Sequence, residues 1–383
     1  MAHTHIDDAR VSVAHTPAPF PVATGPRGAV PGLSLAVVGP AGTRWAGGAG
    51  LADLATGAPA AAGTVYPWFS MTKLATATAV LQLCERGLLD LDAPVGAYYA
   101  PFRDLRPAEW AARATVRHLL SHSVGLANPL PIRWVRPTDA PALAPGPFIA
   151  DLLARHGRLR SAPGARAAYS NLGYLVLGEV IAAVTGRPYQ DYIRAHILAP
   201  LGMTRTDFAY SAAMAATAAT GYHRRWDPML PLLRALLPPR ILAAPAGRFV
   251  AFHRFYVHGS AYGGLIGPVD EAARFLHAHL AAGQGRDNAL LSPTSAARMQ
   301  RLAQRGKGQD FGLGWFRRHA GSAGMPPFVE HLGGGAGFWT DMRLFPTRGL
   351  GLVVMGNATS YDHEAIGRHV LARWGGAALE RAG

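Results

Sequence analysis

The chain has one cysteine, Cys84, in 383 residues, so no intramolecular disulfide staples it and its stability must come from packing. Lysine is almost missing as well. Of 37 basic residues only Lys73 and Lys307 are lysines, the other 35 being arginines, and charged side chains make up only 16% of the sequence. No uninterrupted apolar run reaches the ~18 residues of a membrane-spanning helix. The first ten residues carry Asp7 and Asp8, and no continuous apolar core follows before Pro17, so this stretch does not read as a signal peptide. A lone thiol and no export signal give the expectation of a cytoplasmic protein.

Other absences narrow the function. The net charge of +14 is spread along the chain, with no basic block interleaved with aromatics, no zinc-finger spacing and no RNA-recognition signature, so nucleic acid is not an expected partner. There is no Gly-x-Ser-x-Gly elbow, which disfavours an α/β-hydrolase, and no dinucleotide or phosphate loop. His118 and His122 are four residues apart without a third ligand nearby, and suit packing better than zinc. No metal or cofactor is expected.

What the chain does have is 49% hydrophobic residues, enough for a sizeable core, and a length that allows two or three domains at about 150 residues each. Residues 1–30, rich in Pro, His and Ala, read as a tail. Leu33–Val38, a glycine turn and Thr43–Gly47 read as a hairpin, and a helix is predicted from Ser70 to Arg86, stopped by Gly87. Helical spacing recurs at Val116–His122, Phe148–Arg155, Leu172–Val184 and Tyr189–Leu198. After a helix over Val269–Ala282, strand character returns at Gly312–Phe316, Phe328–His331, Gly337–Phe345 and Leu350–Met355, before a closing helix over His363–Trp374. The expected assembly is a mixed α/β (α+β) domain from residues 31–90 and 260–383, with a helical domain, 91–259, inserted. Within the latter, residues 224–259 form an apolar, proline-interrupted segment edged with Arg and His.

Three short stretches carry chemistry. Ser70 and Lys73 stand at i and i+3 near a helix start, so their side chains rise on one side within reach of each other. A serine hydroxyl is a poor nucleophile until a neighbouring base takes its proton, and a lysine can be desolvated into that role where an arginine cannot. Tyr169-Ser-Asn171 precedes a helix. A tyrosine beside ammonium groups can ionise and act as a base, and an asparagine can orient a substrate carbonyl or the lysine. Glu330-His-Leu-Gly-Gly-Gly335 reads as a strand whose glycines let a substrate lie against its edge, where a backbone N–H can join an oxyanion hole.

In that order and at those separations, Ser70-x-x-Lys73, Tyr169-x-Asn171 and His331-x-Gly333 resemble the three active-site elements of the serine β-lactamase and penicillin-binding-protein superfamily, in its class C-like branch. The flanks Leu89–Val95, His118–Leu126, Pro200–Thr204, Tyr262–Leu265 and Gly312–Trp315 agree, so the resemblance spans about Pro31 to Trp374. It implies an antiparallel sheet flanked by helices with an inserted all-helical domain. It also implies Ser70 as the acylated nucleophile, with Lys73 and Tyr169 sharing the proton work and Asn171 and His331 positioning substrate. Gly333 then belongs to the substrate-binding strand, and the N–H groups of Ser70 and Gly334 form the oxyanion hole. Class C β-lactamases have Lys-Thr-Gly at the third motif; His331 in that place is mostly neutral at pH 7, as in the esterase-like family VIII members.

The expected partner is a small-molecule ester or amide substrate, and the expected activity is hydrolysis of carboxylic esters through an acyl-serine. A β-lactamase, a D-amino-acid peptidase or amidase, an acyltransferase and an inactive scaffold are the alternatives. Segment 224–259 is expected to line an acyl pocket, to touch a lipid surface with Arg234 and Arg240 at the headgroups, or to pack as a buried cover. Oligomeric state is not readable.

Overall fold

In the computed structural model, which describes residues 30–286, 290–319, 321 and 324–376, the apolar run from Leu33 lies in strand β1 (Gly32–Gly39), every residue of which is buried. The tail expected over residues 1–30 lies outside the described residues except for Val30. The hairpin partner is β2 (Gly42–Gly50). Five later strands complete one sheet: β3 (Asp310–Phe311), β4 (Phe316–Arg318), β5 (Phe328–Gly335), β6 (Phe338–Phe345) and β7 (Leu350–Gly356). Their spatial order is β3-β4-β5-β6-β7-β1-β2, and every neighbouring pair is antiparallel. Strands from residues 32–50 and 310–356 thus form one antiparallel sheet.

The period-two alternation of a strand sends successive side chains to opposite faces, and here each face finds a helix layer. Leu33, Leu35, Val37, Leu352 and Val354 pack with Ile366 and Val370 of the closing helix, His363–Trp374. Ala36, Val38, Val353 and Met355 face the other way, toward Phe275 and Leu276 of the helix Val269–Gly283.

Helix α1 (Thr72–Glu85) is buried on all sides from Thr72 to Leu83, as expected of a helix that protein surrounds. Its threonines settle their hydroxyls on neighbours: Thr76 on the Ala261 carbonyl and the Tyr189 hydroxyl, each at 2.7 Å, and Thr78 on the Leu74 carbonyl. Helix α2 (Asn171–Thr185) starts at a Ser170 cap that accepts from the Gly173 N–H and stops at Gly186 in the left-handed region.

Two expectations differ from what the fold shows. Gly312–Phe316, read as a strand, is mostly the turn between β3 and β4. Gly314 sits at φ +88°, and a Cβ there would lie 2.7 Å from the Ala77 side chain, so this turn is pressed onto α1. Residues 91–259 are not all helical. Tyr222–Arg224, Leu242–Ala246 and Phe249–Phe252 form a small sheet, and Val135–Pro137 pairs with Phe255–Val257. Among the described residues no helix is long and apolar enough to cross a membrane.

Under the closing helix lies a buried ionic cluster. The Arg343 guanidinium, fully buried, meets Glu330 at 2.8 Å, Asp341 at 2.7 Å and Glu364 at 3.1 Å, while Arg318 reaches Glu330 from the rim at 2.7 Å. Removing one partner of a buried pair leaves an uncompensated charge. Arg343→Ala is expected to cost about 3–5 kcal/mol in urea unfolding, and Arg318→Ala under about 1 kcal/mol. Equal losses in the two variants would contradict the role given to Arg343.

Candidate active site

Ser70 lies in a single tight turn, Phe69–Met71, that leads into α1. Phe69 there adopts φ +45°, a region that costs a non-glycine residue strain, and its ring is held between Phe255 and Phe338. The turn lifts the Ser70 side chain out of the core while Lys73, three residues on, remains fully buried.

The Lys73 amine has three oxygen neighbours: Ser70 Oγ at 3.0 Å, Asn171 Oδ1 at 2.8 Å and the Tyr262 carbonyl at 2.7 Å. Only the serine hydroxyl among them has a proton to give. Burial holds the Lys73 amine well below the ordinary lysine value of 10.5. A neutral amine donates its two N–H groups to Asn171 and Tyr262 and keeps its lone pair for the serine. Tyr169 donates to Ser70 Oγ at 2.8 Å. Burial raises its phenol, so Tyr169 retains its proton in this environment, the reverse of the ionised tyrosine considered from sequence.

The structure thus brings Ser70, Lys73, Tyr169 and Asn171 together. Two supporting residues were not picked out as site residues from the sequence. Asn128 Oδ1 accepts from the Asn171 N–H at 3.0 Å. His122 accepts from the Ser170 N–H at 3.1 Å, and its ring packs 4.5 Å from that of Tyr169. The flank His118–Leu126 was the available signal for the histidine, which fixes the loop ahead of α2. His118 instead caps Thr115, and among the described residues no group of three His, Cys, Asp or Glu is placed to hold a metal ion.

Strand β5 runs directly against the Ser70 turn, and its glycines make that approach possible. A Cβ on Gly333 would lie 2.3 Å from the Trp68 carbonyl oxygen, and one on Gly335 2.4 Å from the Phe69 ring. Gly334 and Gly335 border the cavity into which Ser70 opens. His331 does not reach that cavity. Its ring is fully buried, stacked 4.3 Å from Phe316 and 6.3 Å from Tyr169, with Nδ1–H donating to the Leu332 carbonyl at 2.8 Å. That bond fixes the tautomer and leaves Nε2 bare, with no hydrogen-bond partner among the described residues. Burial, reinforced by the nearby Lys73, pushes the imidazole down to about 3. The direct substrate contact expected of His331 is replaced by a neutral ring behind Tyr169.

The cavity, about 240 Å³, has Ser70, Asn171, Tyr262 and Thr359 as its polar lining, and its walls are otherwise apolar. Segment 224–259 supplies Leu233, Leu237, Phe252 and Val257 to those walls. The same segment turns Trp226, Met229 and Leu232 outward, while Arg240 pairs with Asp139 at 2.8 Å.

A helix-flanked antiparallel sheet packed against a serine that opens into a cavity, with a buried lysine and a tyrosine hydroxyl both within hydrogen-bond distance of that serine, defines a protein of the β-lactamase fold. The comparisons with known proteins agree. The Beta-lactamase family profile matches residues 14–373. Esterase EstB of Burkholderia gladioli is 31% identical over 276 residues, covering 70% of this chain and 68% of that protein. The D-alanyl-D-alanine-carboxypeptidase/endopeptidase AmpH of Escherichia coli K12 is 25% identical over 307 residues, covering 75% and 69%. The D-amino acid amidase of Ochrobactrum anthropi SV3, crystallised with L-phenylalanine, superposes with a TM-score of 0.72 at 25% identity, covering 89% and 92%. The chain belongs to the Beta-lactamase family, within the superfamily of serine β-lactamases and penicillin-binding proteins.

The composition permits a direct test of the lysine. With only Lys73 and Lys307 present, protein labelled with ε-¹³C lysine gives two resonances, and the one missing in Lys73→Ala is expected to titrate well below 10.5. A midpoint at or above that value would remove the neutral amine from the site.

Proposed function

We propose that the protein is a serine hydrolase that cleaves small, uncharged carboxylic esters through an acyl-Ser70 intermediate. The observation that carries this is the Lys73 amine, tied to Asn171 and Tyr262 on two sides and left facing a serine hydroxyl that opens into an apolar cavity. Ser70 Oγ attacks the ester carbonyl carbon as its proton passes to Lys73. The N–H groups of Ser70 and Gly334 receive the developing oxyanion. Tyr169 gives its proton to the departing alkoxide and is resupplied from Lys73, so the proton count closes. Water then attacks the acyl carbon, its proton passes along the same relay to Ser70 Oγ, and the Oγ–acyl bond breaks to release the acid and restore the serine.

The choice of ester over an anionic lactam or a charged D-amino-acid compound rests on the lining. None of the described cavity residues is an Arg, Lys, His, Asp or Glu, and His331 is buried and neutral. Nothing there balances a substrate carboxylate or ammonium, and burying such a charge unpaired is costly. The esterase named among the relatives supports the same reading; the carboxypeptidase and the amidase support the shared acyl-transfer chemistry.

Fluorophosphonate labelling and p-nitrophenyl butyrate hydrolysis are both expected in the wild type and absent in Ser70→Ala. Lys73→Ala and Tyr169→Phe are expected to lose about 10²–10⁴-fold in kcat/KM. Lys73→Arg does not restore it, since a guanidinium keeps its proton. The wild-type rate falls as pH drops through the depressed Lys73 value, because the ammonium has no lone pair. Nitrocefin turnover matching that of the ester would reverse the substrate assignment.

Leu237→Trp, which narrows the cavity, is expected to reduce hydrolysis of hexanoate esters at least tenfold more than that of acetate esters. Equal loss on both would mean that the 224–259 wall does not hold the acyl chain.

A further inference from the structure

A second cavity, about 430 Å³, opens on the helical side of the molecule and includes neither Ser70 nor Lys73 in its lining. Its volume falls within the range of small-molecule sites, and the exposed Leu143 stands at its rim. Apolar surface dominates, from Ile149, Leu175, Ala182 and Phe208 among others. The one guanidinium among the described lining residues, that of Arg136, donates to the Ala140 carbonyl and lies over the Tyr256 ring at 4.7 Å.

Glu179 is different. It projects from α2 into this lining, half-buried, with no hydrogen-bond or ion-pair partner among the described residues. Burial raises its carboxyl above the ordinary glutamate value. Gln190 donates to Ser260 Oγ at 2.5 Å, which leaves its amide oxygen uncommitted among the described residues. An apolar chamber with a carboxylate that has no hydrogen-bond or ion-pair partner among the described residues, a further acceptor in its wall, and its one guanidinium drawn off onto a carbonyl and a ring suits a ligand with an apolar body and a three-donor ammonium head.

The wall of this chamber is also the support of the catalytic lysine. Val257 borders both cavities, Ser260 and Ala261 border this one, and the next carbonyl, that of Tyr262, accepts from Lys73. Tyr189, another lining residue, bonds to Thr76 of α1 one turn beyond Lys73. We propose that this cavity is a binding site for small apolar primary ammonium compounds, linked to Lys73 through residues 257–262. Such linkage is reciprocal, so whatever shifts the lysine also alters affinity at the chamber.

The test uses the full chain, with benzylamine as probe and benzyl alcohol and benzoate as its neutral and anionic counterparts, followed by calorimetry. Saturable benzylamine binding is expected, at least tenfold tighter than either counterpart. The isosteric Glu179→Gln should weaken it at least tenfold, and Ala182→Phe, which fills the chamber, should remove it. Leu237→Trp, which obstructs the Ser70 cavity, should leave it intact. Saturation should move the Lys73 ε-¹³C resonance in the wild type. Benzoate binding as well as the amine, unchanged affinity in Glu179→Gln, loss in Leu237→Trp, or no saturable binding would overturn the site. An unmoved lysine resonance would overturn the link. Calorimetric binding does not require turnover, so failure of the ester assignment and failure of this site give separate results.

Discussion

Holding a lysine amine in the interior, where desolvation favours the form without its proton, is the constraint around which this molecule is arranged. Lys73 is buried on all sides, and the oxygens around it come from Ser70 in the turn just ahead of its helix and from two stretches distant in sequence, Asn171 at the start of α2 and the carbonyl of Tyr262. Desolvation favours the neutral form. The two acceptors that cannot donate then orient it. Arginine would defeat this arrangement, and a chain that otherwise uses arginine almost throughout places one of its two lysines here.

The parts of this site that depend on side-chain type were legible in the sequence. The Ser70/Lys73 spacing fixes one helical turn, and Tyr169 and Asn171 stand at the mouth of the next helix. What was not legible depends on backbone or on packing. The Tyr262 carbonyl leaves no trace in a residue name, because any residue at that position has one. His331 is the converse case: a residue type suited to polar contact, turned into the interior by a strand face that packs against Trp68 and Phe69 and by a ring stacked on Phe316. The fold followed the same division. Strands with clear alternation were readable, whereas the turn at Gly312–Trp315 and the short strands around residues 222–257 are set by contacts with α1 and with each other.

Charge is placed by a related logic. The sheet tolerates a buried arginine because three carboxylates from β5, β6 and the closing helix surround it. The cavity at Ser70 has no such provision. Its walls are hydrocarbon and its polar lining is Ser70, Asn171, Tyr262 and Thr359, so a charged group entering it meets no counter-ion among the described lining residues.

The two sides of that cavity differ in how freely they can change. On one side, β5 has hydrogen where any other residue would put carbon into Trp68 or Phe69, so drift there moves the nucleophile itself. The leucine-rich stretch Met229–Leu237, by contrast, meets the cavity only through Leu233 and Leu237. The shape of this cavity is therefore easier to rewrite in that loop and short helix than in the glycine strand.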